Sequence, residues 1–281
     1  MKHKPILLIL PLLVSCVTTP SYEVVTPTSI ELQEARSQIQ KEGSLVENGL
    51  SRSQNLNRIN RVSNSLLVNA RRLCQIIGEK SISECDYEVY YDEADEFNAY
   101  ATEQDGENQI FISMGLLKYL QSDDELALVI GHEIGHHILN HFDDQAGFTV
   151  GEGVGLLISV AILGSGIGDG SVDPQTVSDV TGTLTTVGGA FDRPQFNRSQ
   201  ESEADLIGLR ILLLSGYEHE KAANLLVTMA SQNVSNNFFS SHPAGDVRLA
   251  NFMNYRRHPG YQKLLMAERL YSCSGINCTE N

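Results

Sequence analysis

Four of the chain's eight histidines fall within ten positions, in the run VIGHEIGHHILNH at 129–141. The residues just before it read SDDELALVIG. There Ser122 and Glu125 have the spacing of a capping box, and Asp123 and Asp124 stand where the helix dipole favours anions. A helix is therefore predicted to begin at this point and to run on past residue 136. On such a helix His132 and His136 are four apart, so both imidazoles leave one face about a turn from each other. That is the geometry of two metal ligands. Glu133 lies about 100° round the axis, badly placed to ligate beside both histidines but able to reach a water on the same ion. The run is H-E-x-x-H, in which zinc lowers the pKa of a bound water and the glutamate accepts its proton. His137 and His141 turn away from the ligand face by about 100° and 140°, and are expected to be packed or hydrogen-bonded structural histidines.

A third ligand has to come from elsewhere in the chain. Extending the motif along the same helix would need Gly at 139 and His at 142, and the chain has Leu139 and Phe142. The strongest candidate is RSQESEADLIGLRILLLSGY at 198–217, which reads as a second amphipathic helix ended by Gly216 in the C′ position. Glu201 and Asp205 are four apart on one face, with Gly208 a further turn along it. Gly135 lies near the ligand face of the first helix. Two glycines facing each other would let the helix axes approach and bring a short carboxylate to the same ion. The bland reading of Glu201, Glu203 and Asp205 is an acidic helix start favoured by the dipole.

HEIGH followed by ESEAD, as H-E-x-x-H then E-x-x-A-D, resembles the gluzincin peptidases of the HtpX and CAAX-prenyl-protease type, peptidase family M48. The resemblance implies an α+β, mainly helical fold with a zincin-like core. It implies one zinc ion held by His132, His136 and Glu201, with Glu133 as the base and Asp205 orienting a ligating histidine. SSHPAGDVRLANF is similar to the family's H-P-x-x-x-x-R element, at His242, Pro243 and Arg248. His242 is then implied as an oxyanion donor facing the zinc, or as a fourth metal ligand that plugs the site, and Arg248 as a residue fixing the local structure. The resemblance spans roughly residues 95–250 and points to a lipoprotein branch of the family. A rival of another class is a lipid-anchored assembly factor or chaperone whose zinc site is silent, although Glu133 would have no purpose in it.

The N-terminus supplies the compartment. Lys2 and Lys4 precede an apolar stretch at 5–14 that is too short to span a bilayer, as in a secretion signal. It ends in LVSC, which resembles a lipobox, so cleavage before Cys16 and lipidation of that cysteine are expected. Val17, in place of Asp, suggests sorting to the outer membrane, facing the periplasm. Four further cysteines, an even number in an oxidising compartment, favour disulfides, with the local pairs Cys74 with Cys85 and Cys273 with Cys278 preferred among three connectivities. A formal charge of −15 with no basic stripe argues against nucleic acid. Unfolded or misassembled envelope polypeptides are the expected substrates, and outer-membrane assembly machinery is a possible partner.

The expected organisation is a signal peptide at 1–15, a lipid-anchored tether and helical lead-in at 16–50, and a single domain at 51–281. Residues 17–29, rich in Thr, Ser and Pro, read as tether. Ile59, Val62, Leu66, Ala70 and Leu73 mark an amphipathic helix whose arginines, Arg52, Arg58, Arg61, Arg71 and Arg72, read as a solvated face. YEVYY, FNAYA and NQIFIS suggest an antiparallel sheet of about three strands beside the histidine helix. The glycine-rich 147–190, around GLLISVAIL, reads as a buried or interfacial helix with flexible flanks.

Overall fold

A computed structural model describes residues 22–41, 45–78, 80–104, 106–141, 196–231 and 245–274. Among these are eight helices and one three-stranded sheet: α1 Ser29–Ile39, α2 Arg52–Ile77, β1 Tyr87–Asp92, β2 Ala99–Gln104, β3 Glu107–Ser113, α3 Met114–Leu117, α4 Asp123–Ile138, α5 Arg198–Leu214, α6 His219–Ser231, α7 Asp246–Met253 and α8 Pro259–Ser274. Cys16, the 147–190 segment, His242, Pro243 and the Cys273 and Cys278 side chains lie outside the described residues. No described helix is long and apolar enough to cross a membrane.

The long helix α2 starts at a capping box formed by Ser51 and Gln54. Its apolar positions Ile59, Val62, Leu66, Ala70 and Leu73 are all buried, as their three-and-four spacing requires. One of its arginines departs from the solvated face expected of them. Arg58 is only 6% exposed; its Nε donates to Asp123 Oδ1 at 3.1 Å and its Nη1 to the Leu120 carbonyl at 3.0 Å. Arg61 reaches the other oxygen of Asp123 at 2.6 Å. The two cations thus fasten α2 to the first turn of α4. Arg52 and Arg71 stay exposed, paired with Glu93 and Asp86.

The sheet has its three strands where the β-prone runs stand, but it is mixed and not antiparallel throughout. β2 and β3 form a hairpin that turns at Gly106, whose φ of +80° suits a residue without Cβ. β1 joins the opposite edge of β3 in parallel, with Val89 opposite Ile110 and Tyr91 opposite Ile112, giving the order β1-β3-β2. Only the β2–β3 turn carries a hairpin signal, and the β1–β2 connection carries the chain across to the far edge. β3 is therefore central, and its NQIFIS run has no free edge. β2 packs against α4, and its outer edge pairs with no strand among the described residues.

Cys74, in the last turns of α2, and Cys85 stand with Cα atoms 5.7 Å apart and their sulfurs at bonding distance, the local pairing expected from the sequence. The end of the expected tether is seated on the body. Tyr22 is buried, its N–H donates to Glu203 at 3.0 Å, and the N–H of Val25 donates to His258 Nδ1 at 3.3 Å. The carbonyl of Glu23 accepts from Gly260 at 2.9 Å. This segment therefore lies across α5 and the start of α8 before α1 packs on α6 and α7.

Candidate metal centre

The site is made by the crossing of α4 and α5. Ser122 and Glu125 form the capping box that starts α4, and Asn197 with Gln200 forms another that starts α5. The axes come close because small residues meet where they cross. A Cβ on Gly208 would lie 2.7 Å from the His132 nitrogen and 2.8 Å from the Gly131 carbonyl carbon, and one on Gly135 would lie 2.8 Å from the Ala204 carbonyl oxygen. Glycine at Gly208 and Gly135 does permit the approach, but they do not face each other: Gly208 opposes Gly131 and Gly135 opposes Ala204. The register of two crossing helices is a tertiary property that neither segment states alone.

The close approach brings three side chains together from remote parts of the sequence. His132 Nε2 is 3.1 Å from His136 Nε2 and 3.4 Å from Glu201 Oε2, and His136 Nε2 is 3.5 Å from Glu201 Oε1. Zinc bonds of about 2.0–2.2 Å to nitrogen and oxygen set the edges of a tetrahedron at about 3.3–3.6 Å. The spacings are near those edges, the two to Glu201 running to different carboxylate oxygens, so the three groups can gather about one small divalent cation, and they are the set among the described residues that could hold one. All three are buried.

Charge around the site favours a cation. Burial pushes the His132 imidazole down, but Glu201 and Asp205 outweigh it and raise it to about 10. A metal on Nε2 would answer the same field. Asp205 Oδ1 lies 2.9 Å from His132 Nδ1, which leaves Nε2 turned toward Glu201 and His136. Arg248, on α7, holds Asp205 with both Nε and Nη2 at 2.7 Å and also meets Glu201 Oε2 through Nη1 at 2.9 Å. Burial pushes the Asp205 carboxyl up, and Arg248 and His132 more than reverse this, holding it below the usual range. The orienting part expected of Asp205 and the fixing part expected of Arg248 thus both have contacts to act through. Glu133, on the same helix as the two histidines, is 1% exposed, and Arg248 feels its charge.

His137 is a packed structural residue, as expected. Its Nε2 meets the Gln109 carbonyl at 3.3 Å and its ring tilts against Tyr87. His141 is more than that. Its Nδ1 lies 2.9 Å from His136 Nδ1, and its Nε2 is 3.6 Å from Glu203. Phe196, just before α5, stacks on the His136 ring at 3.6 Å between centroids. Residues 132, 136, 201 and 205 are thus brought to one place with 141, 196, 203 and 248 around them.

A model of the family described as peptidase family M48 matches residues 69–256, a span that holds every one of these residues. Among similar curated proteins, the mitochondrial metalloendopeptidase OMA1 of Arabidopsis thaliana is 32% identical over 142 residues, 50% of this chain and 26% of that protein. The beta-barrel assembly-enhancing protease of Yersinia pestis is 28% identical over 205 residues, 70% of this chain and 38% of that protein. Its counterpart in Escherichia coli K12 is 29% identical over 169 residues, 57% and 32%. The chain spans between about a quarter and two-fifths of the length of these relatives.

Proposed function

The chain belongs to peptidase family M48, and from that premise we propose that it is a zinc-dependent endopeptidase held at the bacterial envelope, cleaving unfolded or misassembled envelope proteins. The observation that carries the reading is the convergence of His132 Nε2, His136 Nε2 and the Glu201 carboxylate, the two nitrogens 3.1 Å apart and each 3.4–3.5 Å from a different carboxylate oxygen. Two imidazoles and one carboxylate leave a fourth position for water, the pattern of catalytic and not of structural zinc sites. Zinc in this site supplies Lewis acidity, polarising a peptide carbonyl and making water acidic enough to lose a proton near neutral pH.

The rest of the chemistry belongs to the chain. Glu133 takes the proton from the attacking water and delivers one to the leaving amine. Asp205, fixed by Arg248, keeps His132 in one tautomer and one orientation. His242 is assigned by the H-P-x-x-x-x-R element to the oxyanion, or to the fourth ligand position in a self-plugged form. The outer edge of β2, beside α4, is where an extended substrate would add as a further strand, which demands a chain already unfolded. Lipidation at Cys16 would place the enzyme on the outer membrane, and the relatives named as beta-barrel assembly-enhancing proteases support an envelope setting. Partners in outer-membrane assembly belong to the same proposal.

The test is chelator-sensitive cleavage of casein by the purified chain. Glu133→Gln should retain one zinc per chain and lose cleavage by at least about a hundredfold, the scale of a general base. A Glu133→Gln protein as active as wild type would remove Glu133 from the chemistry, and metal-independent cleavage would remove the metal.

A further inference from the structure

The two imidazoles of the centre are held differently. His132 has a carboxylate directly on its outer nitrogen, Asp205 at 2.9 Å, and that carboxylate is fixed by Arg248. At the outer nitrogen of His136 stands a second imidazole, His141 Nδ1 at 2.9 Å. Behind it lies Glu203, 3.6 Å from His141 Nε2, and Glu203 in turn accepts the Tyr22 N–H at 3.0 Å. His141 is 3% exposed and Tyr22 2%.

The placing of His141 follows from how α4 ends. Asn140 takes the left-handed conformation, φ +53°, tolerable for asparagine. The N–H of His141 then bonds the carbonyl of His136 at 3.1 Å, and the N–H of Asn140 bonds that of His137 at 3.3 Å. Those two bonds define a Schellman motif, which reverses the chain and returns the second residue after the cap toward the third residue from the helix end. Here the first is His141 and the second is His136. Lys80 secures the turn, donating to the His137 carbonyl at 2.8 Å and to the Asn140 side chain. On the other side of His136, Phe196 stacks at 3.6 Å with an interplanar angle of 20°, and it also tilts against His141. The His136 ring is therefore confined on its face by Phe196 and on its outer edge by His141.

We propose that His141 is a positioning residue for the metal, fixing the tautomer and the ring orientation of His136, with Glu203 fixing His141. The proposal rests on the reading of His132, His136 and Glu201 as a metal site. A His136 that ligates through Nε2 carries its proton on Nδ1, so His141 Nδ1 must be the acceptor. His141 then carries its own proton on Nε2, the nitrogen that faces the Glu203 carboxylate. A single proton ordering thus gives the His136–His141 contact one donor and one acceptor and turns the His141 N–H toward the Glu203 carboxylate 3.6 Å away. Glu201, Glu203 and Asp205, which look like one acidic helix start, divide into a ligand and two separate supports, one for each imidazole. Because Glu203 also accepts the Tyr22 N–H, the seated N-terminal segment forms the outermost link of the His136 support.

The experiment compares His141→Phe with His141→Asn in the purified full chain. Phenylalanine keeps a ring beside Phe196 but offers no acceptor, while the asparagine Oδ1 occupies the place of Nδ1 and accepts. Zinc affinity is read by chelator competition, and the ligand field by the visible spectrum of the cobalt-substituted protein, with circular dichroism of the metal-free forms confirming the fold. His141→Phe should bind zinc about 10- to 100-fold more weakly and show a weakened, shifted cobalt band; His141→Asn should recover most of both. A His141→Phe protein with wild-type affinity and spectrum would overturn the proposal, and so would a His141→Asn protein as impaired as His141→Phe, since packing alone would then explain the loss. If His141→Phe does not fold, His141→Asn decides alone: a wild-type cobalt spectrum supports the proposal and a perturbed one overturns it. Wild-type protein that takes up neither zinc nor cobalt would sink the metal-site reading itself, and this assignment with it.

Discussion

Replacing Gly208 by Ala tests whether the centre depends on the contact between α4 and α5. The new Cβ would sit 2.7 Å from the His132 backbone nitrogen and 2.8 Å from the Gly131 carbonyl carbon, where ordinary contacts begin at 3.4 Å. Both obstacles are backbone, so no side chain can swing aside, and the helices must part by about 0.7 Å, the difference between 2.7 and 3.4 Å. Two effects compete in the stability of the metal-free protein. Alanine is about 1 kcal/mol better than glycine inside a helix, and overpacking of this kind costs about 1–3 kcal/mol, so the net change is a destabilisation of up to about 2 kcal/mol.

The effect on the metal has no compensating term. Glu201 rides on α5 while both histidines ride on α4, so the same displacement stretches the 3.4 and 3.5 Å edges toward about 4 Å, beyond the roughly 3.6 Å upper edge of a zinc tetrahedron. Zinc affinity should fall at least tenfold, or about 1.4 kcal/mol, while the melting temperature in chelator falls slightly. Gly135→Ala, whose Cβ would meet the Ala204 carbonyl oxygen at 2.8 Å, should act in the same direction. Chelator competition and thermal unfolding measure the two quantities. A Gly208→Ala protein that melts higher than wild type and binds zinc within twofold would show that helix propensity dominates and that the close approach is not needed by the site.

Other perturbations test separate parts. Glu201→Gln should reduce the zinc retained after dialysis from about one per chain toward none, measured by atomic absorption; undiminished zinc would move the third ligand elsewhere. Cys85→Ser opens the link to Cys74 across a loop of sequence separation 11, and urea unfolding should show a loss of about 3 kcal/mol; equal stability before and after reduction of wild type would mean the bond is not formed. His137 gives a pH dependence. Burial pushes its imidazole down to about 4, and Lys80 adds to that against the Gln109 carbonyl. A folded pKa below the unfolded value of about 6.5 means that protonation favours the unfolded chain. Its contribution is intact above about pH 6.5 and is lost as pH falls toward about 4, by up to about 1.4 kcal/mol per unit. In metal-free protein, His137→Phe should unfold with a shallower dependence over that window, and an unchanged slope would show that His137 is protonated in the fold.

How much of this was legible depends on whether a helix continues between the residues concerned. His132, Glu133 and His136 share one unbroken helix, so the 3.6-residue period places them correctly. Glu201 and Asp205 do likewise on theirs, and the two-motif pattern links the segments. What the sequence does not state is the crossing itself. The expected pairing of Gly135 with Gly208 picked the right helices and the wrong register, because the offset is set by the whole interface. Arg58 reads as part of a solvated face because its partner Asp123 is 65 residues away. The parallel β1 escaped for a similar reason, since its connection has no turn signal to announce an order of β1-β3-β2.

His141 is a different case, because the sequence did carry a usable signal. Extrapolating the helical period from His136 turns His141 about 140° away, a sound step only while the helix lasts. The helix ends at Ile138, and Asn140 is among the few residue types that take the left-handed cap. From there the relevant rule is the cap's and not the helix's, and the Schellman bond pairs position 141 with position 136. Applied to an H-E-x-x-H helix that stops two residues after its second histidine, that rule places the fifth residue onward against the outer edge of the second ligand. A polar residue at that position is then a candidate support for the metal, and an apolar one leaves the imidazole to find its acceptor elsewhere.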